Sequence, residues 1–116
     1  MDARVTSLYI YPDPDAVPQE VESVEVTSAG PTGNRAKKHA VHLVSADEYV
    51  ATHPKANVVV DVDTDVLASL VGSQVRIGEC TLRITKQPTF CPGVYADVVE
   101  AGEIAVHDRL LVANAE

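Results

Sequence analysis

Tryptophan is absent from this chain of 116 residues, and aromatic side chains make up only 4% of it. A core must therefore be mostly aliphatic. Val is abundant and clustered in short runs, and β-branched residues favour pleated, half-buried strands. Cysteine is scarce as well: Cys80 and Cys91 are too few for a disulfide scaffold. No apolar run is long enough to span a bilayer, which argues against a membrane protein. Positive charge is thin, with 9 Lys and Arg against 17 Asp and Glu, for a formal net charge of -8. Such a surface repels phosphate backbones and anionic lipid, so neither nucleic acid nor membrane is an expected partner. The opening Met1-Asp2-Ala3-Arg4 lacks a signal-peptide pattern. The expectation is a cytoplasmic domain with reduced cysteines, occupying residues 1–116 as one unit.

What is present reads as short strands. Residues 4–11 form a first strand with Leu8 and Ile10 on one face and Val5, Tyr9 and Tyr11 on the other. Pro12-Asp13-Pro14-Asp15 ends it, because proline cannot donate to a ladder. Residues 21–27 alternate apolar and polar. Gly30-Pro31-Thr32-Gly33-Asn34 is a loop, followed by Arg35, Lys37 and Lys38, the densest positive stretch. Residues 39–44 resume strand character. Ser45-Ala46-Asp47-Glu48 is a capping-box pattern that predicts a short helix to His53. Residues 57–62 read as a nearly continuous apolar strand. Thr64-Asp65 caps a second helix, whose Val66, Leu67, Leu70 and Val71 share a face, and Gly72 stops it. Residues 75–85 suit a hairpin about Gly78-Glu79. Residues 94–99 and 104–112 supply the last strands. The predicted fold class is mainly β: a closed or partly closed β-barrel with two short helices, a two-sheet sandwich being the rival.

Few residues carry chemistry. Cys91 sits between Pro88 and Pro92-Gly93, in a loop that proline holds. A thiol there suits metal ligation or sulfur transfer, since the thiolate is the ligand and nucleophile; inert packing is the alternative on pattern alone. Cys80 shares strand parity with Leu82 and Ile84 and reads as a core residue. The four histidines do not make a zinc pattern. On a 39–44 strand, His39 and His42 point to opposite faces, His53 ends a helix and His107 sits in a turn. They read as surface or structural. Arg35, Lys37 and Lys38 follow a glycine-bounded loop, which either presents donors to an anion or is a solvated basic turn.

Taken in order, several segments resemble one family. Gly30-Pro31-Thr32-Gly33-Asn34-Arg35 followed by Val41-His42-Leu43-Val44-Ser45 resembles the opening of MOSC domains, where a G-x-x-G-D-R-like turn precedes a strand and short helix. Pro54-Lys55-Ala56-Asn57-Val58-Val59-Val60 is similar to the next family segment. The stretch from Leu67 to Gly72, then Val75-Arg76-Ile77-Gly78-Glu79-Cys80-Thr81-Leu82, resembles its glycine-punctuated hairpin. Thr89-Phe90-Cys91-Pro92-Gly93 falls where the family places its cysteine, and Asp108-Arg109-Leu110 lies in its closing G-D pattern. The chain departs from that pattern at Asn34, in place of an acidic residue, and at His107, in place of glycine. A Tyr11-Pro12 start matches cofactor-binding relatives, but Asp13-Pro14-Asp15 replaces their lysine and serine.

The resemblance implies a compact stand-alone MOSC β-barrel. That family includes the C-terminal domains of molybdenum-cofactor sulfurases and is associated with pyridoxal phosphate. It implies association with the molybdenum cofactor (molybdopterin), with Cys91 as molybdenum ligand or persulfide carrier. It further implies Arg35, Lys55 and Asn57 as cofactor contacts, and a cysteine desulfurase or redox protein as partner. The rival is a non-catalytic binding module in which Cys91 is structural.

Overall fold

The computed structural model describes residues 3–13, 15, 17–35, 39–88 and 92–112. Cys91, Lys37 and Lys38 lie outside the described residues. The elements are β1 (Ala3–Ile10), β2 (Gln19–Val21), β3 (Ser23–Thr27), β4 (Gly30–Pro31), β5 (Val41–Ser45), α1 (Ala46–Thr52), β6 (Val58–Val60), α2 (Thr64–Ala68), β7 (Gln74–Ile77), β8 (Cys80–Lys86), β9 (Val94–Glu100), β10 (Gly102–Ala105) and β11 (Arg109–Val112).

The sheet runs β11-β7-β8-β9-β5-β6-β1, and β11 pairs back onto β1 through Ala3↔Leu110 and Arg4↔Arg109. That last pairing decides between the two architectures. It closes a seven-stranded barrel decorated by two short helices, and closure leaves those strands no free edge. β5 and β6 are parallel, so their connection must cross over, and α1 does so. β2 hangs on β1, while β10, β3 and β4 form a small separate sheet. The interior is aliphatic as the composition requires: Val5, Leu43, Val60, Ile77, Leu82 and Ile84 are fully buried. Each such side chain contributes roughly 1.5–3 kcal/mol relative to exposure. Among the described residues, no helix is long and apolar enough to cross a membrane.

Five expectations need correction. In β1, the register against β6 shifts between Val5 and Ser7. The bulge changes parity, so Val5 joins Leu8 and Ile10 in the core instead of facing away from them. The 21–27 strand divides at Glu22, because Val21 pairs with Leu8 of β1 whereas Val24 and Val26 pair with β10. The 57–62 strand narrows to β6. The second helix ends at Ala68, and its N-cap is Asp63, whose side chain makes no capping bond. Leu67 and Leu70 are buried but Val71 is exposed: Gly72 N–H already donates to Ile84 O at 2.7 Å, which draws the chain onto β8. The first helix keeps its predicted start, with Ser45 Oγ accepting the Glu48 N–H at 3.3 Å and His53 closing it in the left-handed region.

The fifth correction is that the 104–112 strand divides into β10 and β11. Asp108 makes the turn: its N–H donates to Ala105 O at 3.0 Å, and its Oδ2 accepts the Ala105 N–H at 2.8 Å. His107 lies in that turn with φ 81, a conformation that costs a residue bearing a Cβ roughly 1–2 kcal/mol. Its backbone is held there, N–H to Val5 O and carbonyl to the Arg4 guanidinium. His107→Gly is therefore expected to raise stability by about 1 kcal/mol, after the added freedom of glycine in the unfolded chain is subtracted. A denaturant midpoint that falls would show the imidazole makes contacts worth more than the strain.

Candidate functional site

The outer face of β1, β6, β5 and β9 carries a buried polar network centred on Asn57. In the residue just before β6, the backbone N–H donates to His42 O at 2.9 Å, and the carbonyl accepts the Tyr9 N–H at 2.9 Å. The side chain repeats both links: Oδ1 accepts the His42 N–H at 3.1 Å, and Nδ2 donates to Tyr9 O at 3.3 Å and to Asn34 Oδ1 at 3.1 Å. Both amide hydrogens are thereby used within the chain. Asn57 ties β1, β5 and the glycine-bounded loop together, and the network is satisfied: no buried side-chain N or O among the described residues lacks a partner.

Asn34 explains one departure from the family pattern. Its Oδ1 accepts the Tyr11 N–H at 2.7 Å as well as the Asn57 amide, while its Nδ2 donates to Arg35 O at 3.1 Å. A carboxylate can accept the first two bonds but has no hydrogen for the third. Arg35 N–H donates in turn to Tyr11 O at 2.8 Å, so the half-buried Arg35 is stitched to the end of β1.

His42 is a structural histidine, one of the two readings that the sequence left open for the four histidines. It is 4% exposed, in a strand whose five residues are all buried. Its Nε2 lies 2.7 Å from the carbonyl oxygen of Pro92, the residue that follows Cys91. A carbonyl only accepts, so this nitrogen carries the hydrogen. The Tyr95 ring tilts against His42 at 5.0 Å, and the His39 ring stacks on the same tyrosine at 4.4 Å. The strand-parity expectation for the two histidines does not apply, because His39 precedes β5 and both rings reach Tyr95. The signal available in the sequence was a histidine inside Val41-His42-Leu43-Val44. A strand apolar enough to be buried on both faces must give such a ring a partner.

Gly93 makes the close approach possible. It has φ 89, and a Cβ on it would collide with Leu43 O and lie 3.1 Å from His42 Nε2. A chain of hydrogen bonds thus runs from the Arg35 backbone through Asn34, Asn57 and His42 to Pro92. Lys55 is exposed on the connection between α1 and β6, two residues from Asn57. Among the described residues no group of three or more His, Cys, Asp or Glu is placed to hold a metal ion.

The fold is that of YuaD and YiiM. YuaD from Bacillus subtilis matches with a TM-score of 0.75 at 16% identity, over 100% of this chain and 98% of that one. YiiM from Geobacillus stearothermophilus matches with a TM-score of 0.71 at 14% identity, over 97% and 75% of the two chains. YiiM from Escherichia coli matches with a TM-score of 0.70 at 14% identity, over 100% and 71%. No family model matches the sequence, and no curated protein does. At these identities the likeness is one of fold.

Cys80 stands apart from this face. It is fully buried with Leu82 and Ile84 in the core, as parity requires. Burial, with a smaller push from the charge of Glu25, raises its thiol from 9.0 to about 11. A raised pKa in the folded state means that the native protein holds the proton more tightly. The stability this brings is complete below pH 9 and is lost as the pH climbs towards 11. Thermal midpoints are expected to fall across that window, and the fall is expected to be smaller in Cys80→Ala. An equal fall in both proteins would show that Cys80 does not titrate with unfolding. At pH 8, a thiol reagent is expected to spare Cys80 until the protein unfolds.

Proposed function

We propose that residues 1–116 form a compact MOSC-type domain whose chemical centre is the Cys91 thiol, serving molybdenum-cofactor chemistry either as a molybdenum ligand or as a sulfur carrier. The observation that carries this reading is the 2.7 Å bond between His42 Nε2 and Pro92 O. It fastens the residue next to Cys91 onto the same network that holds Arg35. The YuaD and YiiM likeness supports the fold half of the proposal, and the ordered MOSC-like segments support the chemistry.

The donors among the described residues do not make a metal site held by protein alone. His42 spends its Nε2 on Pro92, and no three-ligand group forms among the described residues. A cofactor that brings its own ligands needs one protein thiolate and cations for its phosphate, the parts offered by Cys91, Arg35 and Lys55. When bound, it supplies the molybdenum centre. As a carrier, the Cys91 thiolate attacks the outer sulfur of a desulfurase cysteine persulfide. A new S–S bond forms at Cys91, the desulfurase S–S bond breaks, and the desulfurase cysteine leaves as thiolate. No net oxidation occurs.

Protein purified from a host that makes the cofactor is expected to carry molybdenum in proportion to chain, lost in Cys91→Ser and reduced in Arg35→Ala. Molybdenum content that does not depend on Cys91 would remove the ligand form of the proposal.

A further inference from the structure

We infer that Tyr9 and Tyr49 form an oxidative coupling site, where a one-electron oxidant joins the two rings by a carbon–carbon bond and so ties α1 to β1. The rings stack with their centroids 5.0 Å apart and their planes 13° from parallel. The Tyr9 side chain also hydrogen-bonds that of Tyr49, so the two hydroxyl ends lie together. Stacking brings ring carbons close, and the shared hydroxyl end makes the neighbouring carbons those ortho to oxygen, where a phenoxyl radical carries unpaired spin. Packing by itself asks only for two flat apolar rings. Phenylalanine at either position would cover the small cluster of Val44, Ala56 and Val59 as well.

The surroundings suit the reaction. Both rings are half-buried, so an oxidant in solvent reaches them while the fold holds them in place. Oxidising a phenol releases its hydroxyl proton, and a carboxylate stands near: Glu20 lies directly opposite Tyr9 across β1 and β2, and its charge is felt at Tyr49 too. The His53 ring meets Tyr49 edge-on at 5.2 Å. Tyr9 is fixed in the sheet by β2 and by Asn57, whereas α1 buries none of its residues and can follow Tyr49 as the bond closes. The other two tyrosines are placed differently, Tyr11 buried and Tyr95 stacked on His39. In the balanced step each hydroxyl gives up one electron and one proton, and the two radicals couple ortho to oxygen. The ring hydrogens at the new bond then move to the oxygens, restoring two phenols. Hydrogen peroxide, acting through a haem peroxidase, takes up both electrons and both protons and leaves as water.

The test treats the full chain, dilute and alkylated so that thiols do not quench the radicals, with a haem peroxidase and hydrogen peroxide. Monomer is separated from covalent dimer, then read by dityrosine fluorescence, intact mass and peptide mapping. Expected in wild type is a fluorescent monomer lighter by two hydrogen atoms, whose digest joins the peptides that carry Tyr9 and Tyr49. Tyr9→Phe and Tyr49→Phe keep the stacked ring, and each is expected to lose the monomer product. Tyr95→Phe, outside the pair, is expected to retain it in full. Dityrosine confined to covalent dimers, a monomer of unchanged mass, or a product that survives in either variant of the pair overturns the inference. None of these outcomes bears on Cys91, so this inference and the proposed function stand or fall separately.

Discussion

Gly93→Ala is expected to destabilise the protein by on the order of 3 kcal/mol, through backbone strain and a steric collision acting together. The first arises from φ 89, where a Cβ is disfavoured. The second arises because that Cβ would run into the carbonyl oxygen of Leu43, an atom fixed in the middle of a paired strand, and would press on His42 Nε2 at 3.1 Å. Neither neighbour is the loose end of a flexible side chain, so the loop must move instead. Gly72 provides the control. It has a similar φ of 92, but nothing lies within 4 Å of a Cβ built on it. Gly72→Ala should therefore show the strain alone, about 1 kcal/mol, and the excess in Gly93→Ala measures the collision. Urea unfolding of both variants checks this. Equal losses would mean that Pro92 and Gly93 are not pressed onto β5, and the account of His42 would lose its support.

Much of the barrel was legible because its signals are local. Gly78-Glu79 between two alternating runs specifies the β7–β8 hairpin, and the observed Ile77↔Cys80 pairing follows from it. Ser45 with Glu48 three residues on marks the start of α1. The parity of Cys80, Leu82 and Ile84 held because β8 is regular over those residues. β1 misled at Val5, because a bulge is set by pairing with a strand some fifty residues later and leaves no mark in its own sequence. The division at Glu22 was hidden for the same reason: Val21 and Val24 look like one strand until two different sheets claim them.

The candidate site was legible only by its chemistry-bearing types. Arg35 and Asn57 were picked out through segment resemblance, and the structure places them in one network. Asn34 stands where the resembled pattern has an acid, and its Nδ2 bond to Arg35 O is one that a carboxylate cannot make. His42 passed as a structural histidine. Its partner, the Pro92 carbonyl, lies 50 residues away, and periodicity within β5 carries no trace of the loop before β9.

Intact mass reads sulfur loading on each cysteine. Wild-type protein, Cys80→Ser and Cys91→Ser are each incubated with a cysteine desulfurase and cysteine, then weighed before and after reduction. Cys80 is buried and its thiol is held protonated by the core, so it offers no thiolate at neutral pH. One added sulfur atom is expected in wild type and Cys80→Ser, removed by reductant, and none in Cys91→Ser, whose thermal midpoint stays near that of wild type. Loading that is the same with and without Cys91, or absent from all three while molybdenum content is also independent of Cys91, would contradict it and leave a binding module in which Cys91 is structural.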